Sequence, residues 1–215
     1  VFVLQVNIKS VLCGVLGGVL MASAAVVGGG CEGTGGKAMN IPQARTEADV
    51  REAVRLAGLA GNAQADGNHE RAIKLYRESL EKNNEIGAVW NNYGIALMSR
   101  AQELDMVEAA EVFKRAASML PTDARPYENL GVLYHQRGFD EEALRYFEQS
   151  LERNPNHLPS IRGAVGSAKR LHKSDPSTLE RLNTALLMEQ DPEWRRIVEA
   201  EQLRVKNDML EAANK

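Results

Sequence analysis

Residues Ala124–His157 read ARPYENLGVLYHQRGFDEEALRYFEQSLERNPNH, and this stretch decides the architecture. Tyr127, Leu130, Gly131 and Tyr134 fall at the three- and four-residue spacing of one helix face. Ala143, Phe147 and Ser150 do the same on a second helix, after a turn carried by Gly138 and Asp140. Pro155 ends that second helix, because its ring cannot continue one. A motif of this length that recurs along a chain marks a solenoid, in which each unit buries its apolar face only against its neighbours. Such a chain is expected to bind something along an extended groove rather than to carry out chemistry.

Two further units lie upstream. Gly87–Asp123 carries Trp90, Tyr93, Gly94 and Leu97, then Ala109, Phe113, Ala116 and Pro121. It has three extra residues around Ala101–Met106, which should lengthen a loop or extend a helix. Ala53–Ile86 is fainter, with Leu56, Leu59, Ala60 and Ala63, then Ala72, Tyr76 and Ser79, and Asn84 where a closing Pro would stand. A helix leading into it should run from Thr46, an N-cap with Asp49 three residues on, to about Ala65.

These units resemble the tetratricopeptide repeat: a large residue, then Leu-Gly, then Tyr, Ala, Phe, a small residue and Pro. The resemblance implies an all-α fold, a right-handed α-solenoid of helix-turn-helix repeats with C-terminal capping helices. It places Gly131 and Ala143 where the paired helices approach closely, with Phe147 filling the gap between them. The array is expected over 46–172, with units 53–86, 87–123 and 124–157 and a partial unit 158–172 carrying Ile161, Ala164, Val165 and Ala168. Capping helices are expected over 173–215. One opens at Asp175-Pro176 with Leu179, Leu182 and Leu186 on one face. The other opens at Asp191-Pro192 with Trp194, Ile197, Val198, Val205 and Met209 as its stripe; an acid followed by Pro is a strong helix start. The alternative for the final helix is pairing with a partner chain.

The chain has 215 residues, 44% hydrophobic and 26% charged, with a formal net charge of −3. That balance gives no reason to expect nucleic acid as a partner. Both cysteines, Cys13 and Cys31, lie in the first 31 residues, so the body can hold neither a disulfide framework nor a cysteine metal site.

Residues 1–30 are expected to be a signal peptide. Lys9 precedes the apolar run VLCGVLGGVLMASAAVV at Val11–Val27, then Gly28-Gly29-Gly30-Cys31 follows. The Cys after small residues resembles a bacterial lipoprotein signal, which implies lipid attachment at Cys31, although Gly28 stands where that family prefers a branched aliphatic. Residues 31–45, rich in Gly, Ala and Pro, would then be a flexible tether. Two alternatives stay open: an uncleaved anchor, since Val11–Gly30 is just long enough to span a bilayer, and ordinary cleavage after Ala24 or Ala25. In each case the body faces the periplasm or exterior. The nearby GGGCEGTGGKAM is not a phosphate-binding loop, because Cys31 and Ala38 stand at two obligatory positions.

The resemblance also implies that repeat positions 2, 5, 9 and 12 of each first helix line the concave face. Those positions are Val54, Ala57, Gly61 and Gln64; Ala88, Asn91, Ile95 and Met98; Arg125, Glu128, Val132 and His135; and Pro159, Arg162, Gly166 and Lys169. The first half is small and apolar and the second polar, leaning basic. The partner-binding set is therefore Asn91, Ile95, Met98, Arg125, Glu128, His135, Arg162 and Lys169. The expected ligand is an extended peptide with an apolar part and an acidic or carboxylate part. The carboxylate clamp of heat-shock cochaperones is not supported, because Ala57, Gly61 and Asn129 replace three of its groups.

His69, His135, His157 and His172 are dispersed, with no metalloprotease spacing, so no metal, cofactor or enzyme activity is expected. Two functional readings remain. The first is a membrane-tethered interaction scaffold or adaptor of the bacterial cell envelope. The second is a substrate-capturing, holdase-like component, or an accessory subunit of a secretion, pilus-assembly or wall-remodelling system.

Overall fold

The computed structural model describes residues 45–214. The signal segment, Cys31 and most of the tether therefore lie outside the described residues. The described part holds nine helices and no strand: α1 (Glu47–Ala65), α2 (His69–Lys82), α3 (Gly87–Arg100), α4 (Glu103–Met119), α5 (Arg125–Gln136), α6 (Asp140–Arg153), α7 (Leu158–Arg170), α8 (Pro176–Met188) and α9 (Pro192–Ala213). Each odd helix from α1 to α5 packs most extensively on the even helix that follows it, and each pair packs on the next. That is an α-solenoid of helix pairs.

Local chemistry sets the helix ends. Thr46 caps α1, accepting from the Asp49 amide at 3.1 Å while Asp49 accepts from the Thr46 amide, a reciprocal capping box. Gly138, at φ +79°, makes the left-handed turn between α5 and α6. Asp175 and Asp191 cap α8 and α9 with Pro at the first helical position. The three extra residues of the middle unit lengthen a helix, not a loop: α4 has 17 residues where α2 and α6 have 14. The cause is a second capping box, Gln102 with Asp105, locked by Arg100 donating to the buried Asp105 carboxylate at 2.6 and 2.8 Å.

The core follows the repeat. Phe113 and Phe147 are fully buried, and Tyr76 takes the same place in the first pair. The Tyr76 hydroxyl donates to Gln64 at 3.1 Å, and burial pushes its pKa up to about 12. The small residue late in the second helix has a polar purpose in the first and third units. Ser79 donates to the Ala53 carbonyl at 2.7 Å and Ser150 to the Ala124 carbonyl at 2.9 Å, tying each second helix to the start of its own unit. In the middle unit Ala116 stands there and cannot donate. Ser150→Ala is expected to lower stability by about 1–2 kcal/mol, read by urea denaturation, because the Ala124 carbonyl keeps only the Glu128 amide as donor and the buried Ser160 hydroxyl loses its partner.

At the C-terminal end Ile161 and Val165 of α7 join Leu182 and Ala185 of α8 and Val198 and Val205 of α9 in one apolar cluster. The apolar face that α7 would offer to a further unit is covered in this way. Trp194 departs from the expected stripe: it is half-buried, and the Arg162 guanidinium lies 5.2 Å from its ring centroid.

Candidate functional site

The first helices α1, α3, α5 and α7 occupy equivalent places in successive pairs, so equal repeat positions form rows across the array. On α1 the row is open and apolar at its start, with Val54 exposed and Ala57 half-buried. On α3, Ile95 and Met98 are half-buried against the core. Asn91 is buried and accepts from Asn129 Nδ2 of α5 at 2.9 Å, so its side chain joins two helices instead of facing solvent.

Most of the cations expected on the second half are engaged within the chain. Arg125 is exposed but closes on Asp123, with Nε 3.0 Å from both carboxylate oxygens. Arg162 donates twice to Glu189 at 2.6 and 2.7 Å, and Glu189 is almost wholly buried at the end of α8. His135 Nδ1 lies 2.7 Å from Asp140, and Arg170 reaches the same carboxylate at 2.7 Å and also the His135 carbonyl. Lys169 is exposed on α7. The basic character read from the sequence is therefore largely neutralised, because carboxylates on turns and neighbouring helices pair with it.

Glu128 stands apart. Its side chain retains 17% of its exposure, and the titratable side chain paired with it within 4 Å is His157, with Nε2 at 3.8 Å, too long for a hydrogen bond. Burial pushes its carboxyl up to about 7, against the lowering influence of Arg125 and with Asp123 adding to the rise. Burial likewise lowers the His157 imidazole, opposed by Asp123.

Comparison with known proteins agrees with this geometry. Residues 124–157 match the tetratricopeptide repeat family. The chain is 12% identical to MamA over 73% of its length and 97% of that structure, with a TM-score of 0.55. It is 18% identical to the first tetratricopeptide domain of Spaghetti (RPAP3), solved with the HSP90 peptide SRMEEVD, over 58% of its length and 99% of that domain, with a TM-score of 0.54. Residues 124–157 are thus a tetratricopeptide repeat within an α-solenoid.

Among curated proteins it is 32% identical over 129 residues to the type IV pilus assembly protein PilF of Pseudomonas aeruginosa, covering 59% of this chain and 49% of that protein. It is 33% identical over 84 residues to the photosystem I assembly protein Ycf3 of Prochlorococcus marinus, covering 38% of this chain and 46% of that protein. The chain thus spans about half the length of these relatives, and 21% of the BBSome complex member bbs-4 of Caenorhabditis elegans. The family found is that of a protein-interaction scaffold. Among the described residues no group of three or more His, Cys, Asp or Glu side chains is placed to hold a metal ion.

Two features of this tetratricopeptide array were not read from its sequence. Gly163 of α7 gives the Phe147 ring its second glycine wall; a Cβ there would lie 2.2 Å from Cζ. Position 6 of the preceding units is Gly58, Asn92 and Asn129, and a Cβ at Gly58 would meet nothing within 4 Å, so the repeat gave no consistent signal for a tight glycine there. Glu189 lies outside every repeat signature, and pairing it with Arg162 needs the path of the chain through α8.

Proposed function

We propose that this protein is a membrane-tethered adaptor of the bacterial cell envelope that holds a partner protein or peptide in its concave groove. The row of first-helix residues across α1, α3, α5 and α7 carries the reading. It is open and apolar at Val54 and Ala57 and polar around Glu128 and Lys169, the mix that fixes an extended segment through pockets and backbone bonds. Within this reading Ile95 and Met98 form the apolar floor, Arg125 and Lys169 the polar rim, and Asn91, His135 and Arg162 hold the wall in place. Lipid on Cys31 tethers the array, and residues 32–45 let it stand off the bilayer.

The PilF likeness supports an envelope role and favours a second reading, an accessory subunit of a pilus-assembly or secretion system. Among the described residues no helix is long and apolar enough to cross a membrane. Crosslinking in cells followed by purification from detergent-solubilised membranes names the partner and separates both readings from a third, holdase-like capture of substrates. One partner at constant stoichiometry supports the adaptor, whereas a broad set of unfolded clients supports capture. The tether has its own test. Cys31→Ser is expected to move the protein from the membrane to the soluble fraction on ultracentrifugation, and retention of that variant in the membrane would rule out the lipid anchor.

A further inference from the structure

The hydrogen-bond chain behind His157 determines which of its nitrogens carries the proton. Ser150 spends its only hydroxyl proton on the Ala124 carbonyl. Ser160 Oγ lies 2.7 Å from Ser150 Oγ and must therefore donate to it. His157 Nδ1 lies 2.9 Å from Ser160 Oγ, whose proton is already used, so Nδ1 is the donor of that contact. Ser150 and Ser160 are fully buried, which shields the relay from water.

The neutral ring consequently presents Nε2 as a bare acceptor, 3.8 Å from Glu128 Oε2. Two acceptors thus face one gap, and no described side chain donates a hydrogen bond to the Glu128 carboxylate. No neighbouring side chain donates into it, although the Arg125 guanidinium lies near enough to favour the Glu128 charge. Asn129 is turned to Asn91, Arg125 is closed on Asp123, and Arg162 is held by Glu189. A shallow depression lined by Thr122, Asp123, Arg125, Arg153 and Asn154 opens beside His157.

We propose that Glu128 and His157 together accept the ammonium or guanidinium group of a lysine or arginine side chain on the bound segment. The inference rests on the groove reading above and deepens it: the partner carries a cation where α5 meets the α6–α7 turn, and apolar side chains toward α1. An ammonium has three donors on one atom and can satisfy both acceptors at once, whereas an acidic residue would meet two lone pairs and be repelled. The cation also ends the cost of holding a carboxylate half out of water without a partner.

The test is a positional-scanning array of immobilised twelve-residue peptides, each position fixed in turn as Lys, Arg, Glu or Leu. It is probed with the full chain in mild detergent and with Glu128→Gln, Glu128→Lys and His157→Leu. The natural chain is expected to select Lys or Arg at one position, several residues from its selection for Leu. Glu128→Gln, which keeps the side chain's shape, should lose the cation selection at least tenfold and keep that for Leu. His157→Leu should weaken it, and Glu128→Lys should exchange it for Glu. Selection of Glu by the natural chain, or cation selection unchanged in Glu128→Gln, overturns the proposal. Leu selection without any preference for charge overturns it while leaving the groove reading intact; no selection of any kind overturns both.

Discussion

Gly163→Ala is expected to lower the stability of the array by about 2–3 kcal/mol, a drop in melting temperature of about 5–10 °C for a body of this size. The sign is the informative part. In a helix with free space, exchanging Gly for Ala stabilises by about 1 kcal/mol, because the backbone loses less freedom on folding. Here the added Cβ would sit 2.2 Å from Phe147 Cζ and 2.4 Å from Cε1, far inside contact distance. The ring has little room to retreat, since Gly131 also places a virtual Cβ 2.6 Å from Cδ1. Overpacking therefore outweighs propensity.

The same helix holds a control. At Gly166 a Cβ would meet His135 at 3.6 Å, an ordinary contact, so Gly166→Ala should leave stability unchanged or raise it by up to about 1 kcal/mol. Gly131→Leu, with more atoms to place, should cost about 3 kcal/mol or more. Thermal unfolding followed by circular dichroism reads all three. Equal melting temperatures for Gly163→Ala and Gly166→Ala would mean that Phe147 does not lie between α5 and α7 as described.

Glu128→Gln is expected to stabilise the protein by about 3 kcal/mol at pH 8 and to change little at pH 4. The sign follows from linkage. The folded-state carboxyl titrates near 7, above its ordinary 4.5, so the folded protein binds this proton more tightly than the unfolded chain does. The stability associated with the proton is fully present below about pH 4.5, is lost as pH rises through 7, and stays lost above it. Gln removes the charge at every pH, so the difference between the two proteins should grow from about pH 4.5 and level off above about 7.

Neighbouring groups titrate in other directions. His157, lowered by burial, loses stability as pH falls through its depressed value. Asp123 is held below the usual carboxylate range by Arg125 against its own burial, and loses its contribution only in acid. The comparison of natural chain with variant cancels both. Urea denaturation across pH 4–8 reads the effect; a difference independent of pH would mean that Glu128 is solvated like an ordinary surface carboxylate. Since Glu128→Gln should be the more stable protein at neutral pH, loss of ligand by that variant cannot be blamed on unfolding.

The helix pairs were legible because each carries its own instructions locally. Gly138 for the turn, Pro155 for the stop, Thr46 with Asp49 for the first cap, and Asp175 and Asp191 before Pro all act within one turn of helix. The close packing at Phe147 was half legible. Gly131 lies in the same unit as the ring and belongs to the repeat signature, whereas Gly163 belongs to the next unit and to no signature. The candidate groove was least legible. Register gave the row of positions, but a side chain's availability depends on partners distant in sequence: Glu189 for Arg162, Asn129 for Asn91, and Arg170 with Asp140 for His135.

By itself, then, the order of residues determined helices, turns and a repeating interior, since these follow from periodicity and capping over a few residues. Which of the inner-row charges are spent inside the molecule, and that Glu128 is left with acceptors for neighbours, was decided only when α5, α7 and the α8–α9 turn came together. Charge pairing falls steeply with distance and depends on burial, and neither distance nor burial is written in the order of residues.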